Sequence, residues 1–270
     1  MAYVNAGNYA TKIDGVNKTS VKAEAASLNL DQSTVAAYPD IVNALKSGDK
    51  SLKSYLEDSY SGEVKGIDGD RSYVGTYRKS ESTHTDSESS AGNAYWGRFS
   101  ERSELTYSDG TTATQSNIRH WAVGSPVTDM PTSGIYKYSS VGGTSPTDQN
   151  GEVGKMISRG SWQLNFGQQK IQTASDIKWS MDDTSYALKV PSQSYQVTTS
   201  GAVTSLTAGN GGALSSTTSC SGGGCQSASS NIAVTPFGSK ATGLGVGIAT
   251  TATVSGGKTQ QTSSVQVYER

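Results

Sequence analysis

In Ser161-Trp162-Gln163-Leu164-Asn165-Phe166 every second residue is large and apolar, and the residues between are polar. A side-chain period of two places Trp162, Leu164 and Phe166 on one face of an extended chain, which predicts a strand with one buried face. Ile135-Tyr136-Lys137-Tyr138 repeats the pattern, with its two tyrosines on one face. From Tyr73 to the end, strands are expected at Tyr73–Arg78, Ala94–Phe99, Asn117–Val123, Gly134–Val141 and Gly160–Phe166. Further strands are expected at Lys170–Trp179, Ser194–Thr199, Asn231–Thr235, Leu244–Thr253 and Ser263–Tyr268. Gly-rich turns separate them, which points to a mainly β fold, a sandwich or an antiparallel up-and-down β-barrel, and the barrel is the expectation.

The remaining composition agrees. Hydrophobic residues are 33% and charged residues 17% of the 270, so the chain is neither a helical bundle nor a charged disordered polymer. Small polar side chains on outward strand faces suit an extracellular or cell-envelope β-protein. A net charge of −1, with Lys and Arg scattered, gives no field for nucleic acid, so no nucleic-acid partner is expected. No apolar run approaches the length of a membrane-spanning helix, so no integral membrane segment is expected. Met1-Ala2-Tyr3-Val4-Asn5 carries no export signal.

The first 71 residues read differently from the rest. Val4–Ile13 is expected to be a lone strand. Pro39–Lys46 and Ser51–Tyr60 read as two short helices, with Pro39 in a first-turn position and Leu52, Tyr55, Leu56 and Tyr60 at helical spacing. An N-terminal appendage of one strand and two helices (1–71) ahead of a barrel (72–270) follows. Two polar stretches, Ser80–Gly92 and Gly201–Ser230, are expected as loops. The second holds Cys220 and Cys225 around Ser221-Gly222-Gly223-Gly224, a spacer flexible enough for a disulfide that pins a hairpin tip, two free thiols being the alternative.

Trp96-Gly97-Arg98-Phe99, His120-Trp121-Ala122-Val123-Gly124-Ser125-Pro126 and Met130-Pro131-Thr132-Ser133-Gly134 form an ordered series of motifs. It continues through Tyr136, Val141-Gly142-Gly143-Thr144-Ser145-Pro146-Thr147, Gly151 and Gly154 to the Gly160–Phe166 strand, with Phe237-Gly238-Ser239-Lys240-Ala241 near the end. This series resembles the β-barrel domain of the transferrin-binding-protein-B-like family, in the version at the C-terminus of FecR-type envelope proteins, over residues 72–270. The resemblance implies a closed barrel, a surface or secreted location and a binding activity without catalysis. Pro131 and Gly134 are expected to bracket a turn, Gly142-Gly143 to allow a close bend or positive φ, and Asp148–Gly151 to form a polar connection.

Candidate chemistry is sparse. His120 is expected to pack or hydrogen-bond at a fixed barrel position, and the alternative is an axial haem ligand. His84, in the Ser80–Gly92 stretch, is the second haem-ligand candidate. With two histidines in the whole chain, no multi-His metal site can be built. Asp68-Gly69-Asp70 and Asp182-Asp183 read as turns. Gly243-Leu244-Gly245-Val246-Gly247 lacks the Lys-Ser/Thr of a phosphate loop and lies among strand residues. No Gly-x-Ser-x-Gly elbow is present. The expected function is non-enzymatic: protein–protein contact, as a binding module or as a self-assembling extracellular subunit, with haem or small-ligand capture as the alternative. Residues 1–13 are the expected strand to pair with a neighbouring sheet edge.

Overall fold

The structure, a computed structural model, describes residues 2–13, 16–27, 61–68, 71–84, 94–107, 112–124, 126–200 and 203–270. Nineteen strands order into three antiparallel sheets, and no α-helix occurs among the described residues. The segments expected as helices, Pro39–Lys46 and Ser51–Tyr60, lie outside the described residues.

The barrel uses β7 (Ile135–Gly143), β10 (Ser161–Asn165), β11 (Lys170–Ser175), β14 (Gln193–Ser200), β15 (Val203–Ala208), β17 (Ser227–Phe237), β18 (Gly243–Val254) and β19 (Lys258–Glu269). These eight strands neighbour one another in chain order, and β19 closes the ring by pairing with both β18 and β7. The architecture is therefore an up-and-down barrel, and closure leaves no free edge around the ring. Trp162, Leu164 and Phe166 all face its interior and are buried, as their alternation requires. Tyr138, Ile171, Tyr195, Leu206, Ile232, Val234, Leu244, Val246 and Ile248 complete that core. The barrel is filled by side chains.

Three excursions leave the ring and build a second sheet. β9 (Lys155–Ser158), β12 (Ile177–Met181), β13 (Thr184–Lys189) and β16 (Thr217–Gly222) pair in the order β16-β13-β12-β9. Ile177, Trp179, Met181, Tyr186 and Leu188 carry the barrel core onward into this sheet, where Trp179 and Tyr186 stack at 5.2 Å. The span Lys170–Trp179 is thus two strands, divided at Asp176 where the chain passes from the ring to the excursion. A two-residue β8 (Thr147–Asp148) flanks β19. There the buried Asp148 carboxylate accepts hydrogen bonds from the amides of Asn150 and Glu152, both at 2.8 Å, forming the polar connection expected of Asp148–Gly151.

The third sheet has six strands: β1 (Ala2–Ile13), β2 (Val16–Ser27), β3 (Ser61–Asp68), β4 (Arg71–His84), β5 (Tyr95–Tyr107) and β6 (Thr112–Gly124), ordered β2-β1-β6-β5-β4-β3. The N-terminal strand is not alone, a correction to the expectation. It forms a hairpin with β2 from Ala2↔Ser27 to Ile13↔Val16. The strands expected from Tyr73 to Val123 belong to this sheet, and the barrel begins at Ile135. Ser80–His84 continues β4, so the stretch expected as a loop is strand as far as His84.

The six-stranded sheet rests on the outside of the barrel. Ala94, Trp96 and Ala122 from the sheet pack with Phe237, Ala249, Val265 and Val267 on the outward faces of β17–β19. Gly142 permits this approach, because a Cβ there would collide with Trp96 Cζ2. Gly142→Ala is expected to push the two layers apart and cost ~1–3 kcal/mol by the usual penalty of overpacking. In urea denaturation the control is Gly167→Ala, where an added Cβ meets nothing closer than 3.6 Å. Equal stability of the two variants would contradict this packing.

Candidate functional site

The excursions have a consequence for the ring. β17 and β18 pair continuously from Ser227↔Thr253 to Phe237↔Gly243. β14 and β15 pair from Tyr195↔Ala208 to Ser200↔Val203. Between β15 and β17, however, the register holds one pair, Leu206↔Val234. The chain leaves β15 to make β16 before returning as β17, and the two strands run side by side with a ladder reduced to that single pair. The stretch expected as a loop from Gly201 to Ser230 therefore contains β15, β16 and the start of β17. Its strands are Ser/Thr-rich with no apolar stripe to betray them.

A cleft of about 400 Å³ opens at this seam, with Ser205–Thr207, Gly211–Leu214 and Asn231–Val234 around it. Leu206, Leu214, Ile232 and Val234 are buried and give it an apolar floor. Its wall is fixed at both ends. Ala208 N donates to Gly212 O at 2.9 Å and Gly211 N donates to Ala208 O at 2.7 Å, closing a tight turn. The Gln193 side chain then clamps Ser215, donating from Nε2 to its carbonyl at 2.8 Å and accepting its N–H at Oε1 at 2.9 Å. Beside the cleft, Ser216 Oγ donates to Ser230 O at 3.0 Å, and Thr218 Oγ1 donates to Ser230 Oγ at 2.7 Å. The cleft is thus preformed, which spares a ligand the cost of ordering it.

Among the described residues, no Asp, Glu, His, Lys or Arg lines the cleft. The hydroxyls, backbone groups and apolar floor that line it are groups suited to binding. No grouping of three or more His, Cys, Asp or Glu occurs among the described residues that could hold a metal.

The residues singled out in the sequence lie elsewhere. Cys220 and Cys225 form a disulfide with Cα atoms 6.0 Å apart. Gly222, Gly223 and Gly224 between them have φ of 77°, 53° and 66°, and Cys225 N donates to Gly222 O at 2.8 Å. A side chain on these glycines would strike Asp183, Thr184 and Ser255, so the bridged turn is wedged between the β12–β13 and β18–β19 turns. The disulfide pins the β16–β17 connection, the step by which the chain returns to the ring.

His120 is fully buried between the six-stranded sheet and the barrel. Its Nδ1 lies 2.7 Å from Thr144 Oγ1 and its Nε2 2.7 Å from Thr147 Oγ1. Both ring nitrogens have hydroxyl partners, so the ring fastens the sheet to the β7–β8 connection. Burial, and secondarily the nearby Arg98 charge, pushes its pKa down to about 3. His84 ends β4 in register with Arg98 of β5, so the backbone pairing places the two histidines on β4 and β6, with β5 between them.

Asp182 and Asp183 make the two-residue turn between β12 and β13, Asp182 with φ of 49°. Asp68 pairs with Arg71 where β3 meets β4, and Gly69 and Asp70 lie outside the described residues. Gly243–Gly247 lies within β18. Gly134 has φ of 93° and its carbonyl accepts from Phe166 N at 2.9 Å, fixing the turn into β7. Sequence reasoning missed the cleft altogether. The only local signal was Gly209–Gly212, a turn-forming run flanked by Leu206 and Leu214.

No helix among the described residues is long and apolar enough to cross a membrane. No family model matches the chain, and no curated protein matches it. The FecR-type relationship therefore finds no support. Among solved structures the chain is similar to a double mutant of transferrin-binding protein B, a vaccine antigen from Haemophilus parasuis Hp5. The identity is 12% and the TM-score 0.29, over 78% of this chain and 37% of that one. A likeness at that score carries no argument, so the fold stands on its own geometry: an eight-stranded antiparallel barrel with a six-stranded sheet on its flank.

Proposed function

We propose that the protein is a non-enzymatic binding module that works by protein–protein contact outside the cell or in its envelope, and that the β15–β17 seam is a contact site. The observation that carries this reading is the reduced β15–β17 ladder, paired at Leu206↔Val234 alone, beside a preformed, apolar-floored cleft with no charged side chain among its described lining residues. A filled barrel leaves recognition to its outer surface, and strands that leave ladder groups unpaired beside a cleft suit an extended peptide segment whose side chains reach the apolar floor. The disulfide favours an oxidising compartment. Organisation into a flanking sheet unit and a barrel unit belongs to the same proposal.

The test uses a displayed library of random dodecapeptides panned against the native chain, followed by binding of the selected synthetic peptides to Ala213→Trp. Ala213 is exposed at the cleft, so a tryptophan there fills the mouth without entering the core. Peptides that use the seam are expected to bind the variant at least ~10-fold more weakly, about 1.4 kcal/mol. If every selected peptide binds both proteins equally, the seam is not the contact site.

A further inference from the structure

The six-stranded sheet has an unusual chain path. β2 lies at one edge of it and β3, the next described strand, at the other. Five inter-strand steps separate them, about 24 Å at ordinary sheet spacing. Residues 28–60 make the connection, and a chain of that length reaches ~110 Å at full extension.

The β1–β2 hairpin is self-contained in its pairing, from Ala2↔Ser27 to Ile13↔Val16. It joins the sheet through one further ladder, β1 on β6, from Ala2↔Gly124 to Asn8↔Ile118. It also lies over the barrel strands β17–β19. An isolated two-stranded hairpin is marginal in water, so it needs this seat. Without it, β6 becomes an open edge, the template to which another strand adds.

We propose that the hairpin is an exchangeable element: the β6 edge of one chain takes the β1–β2 hairpin of a second copy in the same register, joining copies through their six-stranded sheets. The connection over residues 28–60 is long enough to span its own sheet with chain to spare for a neighbour's β6 edge, and the seat is identical in both cases. The occupant is therefore a second copy of this chain. The choice is set by concentration. Covalent connection puts a hairpin at its own seat at an effective concentration on the order of 1 mM, so dilute chains close on themselves and crowded ones exchange. This proposal is independent of the β15–β17 seam, and either can fail alone.

The experiment uses the full chain with Cys220→Ser and Cys225→Ser, so that introduced thiols stand alone. Asn8→Cys and Ile118→Cys are placed in separate chains and, as a control, together in one chain. The double variant is expected to form an internal disulfide and run as a monomer when refolded at ~10 µM. The two single variants, refolded together and then oxidised, are expected to give a covalent heterodimer at least ~10-fold more abundant at ~1 mM than at ~10 µM. Each single variant alone sets the background of chance dimers. A mixture no richer in dimer than that background at ~1 mM overturns exchange. Failure of the double variant to link internally overturns the register on which exchange depends.

Discussion

Replacing Trp162 with alanine is expected to remove about 3–5 kcal/mol of stability, the usual cost of truncating a buried large aromatic residue. The side chain is fully buried at the centre of β10, with Tyr138 of β7 as its register partner on one side and Thr173 of β11 on the other. Its ring meets Tyr268 edge-on at 6.3 Å and 76°, an arrangement worth ~0.5–1.5 kcal/mol beyond area burial. Tyr268 in turn donates from its hydroxyl to Arg159 O at 2.6 Å, so the pair ties β10 to β19 and to the chain entering β10. A cavity there touches the closure of the ring and not one strand alone. The measurement is urea denaturation followed by far-ultraviolet circular dichroism. Ile135→Ala, on the neighbouring β7 and 59% exposed, is the comparison and is expected to change stability by less than ~0.5 kcal/mol. A loss below ~1 kcal/mol in Trp162→Ala would mean that the barrel interior is not packed as described.

Trp162 also marks what is legible in this sequence and what is not. Its strand shows a clean alternation because one face meets a dry core, and the same logic places Tyr136 and Tyr138, Ile171, and the strands at the C-terminal end. β16 is the contrary case. Thr217–Gly222 is exposed or half-buried along its length, so its Thr and Ser side chains carry no stripe, and only pairing with β13 makes it a strand. β2 was missed for a related reason: Val16–Ser27 mixes Ala, Lys and Glu, residues of low strand preference, and its partner β1 decides its state. The disulfide was readable from the five-residue spacing and its glycines. The cleft was not, since it exists because β16 separates β15 from β17 in sequence, a fact about path and not about any residue type. Nor was the division into barrel and flank sheet, because Tyr73–Arg78, Ala94–Phe99 and Asn117–Val123 read as strands without any sign of which sheet they join.

Acidification should loosen that flank sheet, and His120 should set the slope. The ring is accommodated neutral, with one nitrogen donating and the other accepting whichever tautomer is present, against Thr144 Oγ1 and Thr147 Oγ1. Protonation would make both nitrogens donors and bury a charge near Arg98, which is why the pKa falls from 6.5 to about 3. The unfolded chain takes up this proton near pH 6.5 while the folded chain refuses it until about pH 3. Between those values the unfolded state binds more protons, so stability falls as pH falls, by ~1.4 kcal/mol per pH unit. The contribution is complete above pH 6.5, and the loss reaches on the order of 4 kcal/mol by about pH 3. His120→Asn removes the titration. Its stability at pH 7 is expected to be lower, because the shorter amide cannot reach both hydroxyls at 2.7 Å and leaves a buried group unpaired, at ~1–3 kcal/mol. Its stability is nevertheless expected to decline less steeply than the native protein's between pH 6 and pH 4, by that same ~1.4 kcal/mol per unit. Urea midpoints measured at half-unit pH steps for both proteins give the two slopes, and parallel slopes would show that His120 is not held neutral between the two layers.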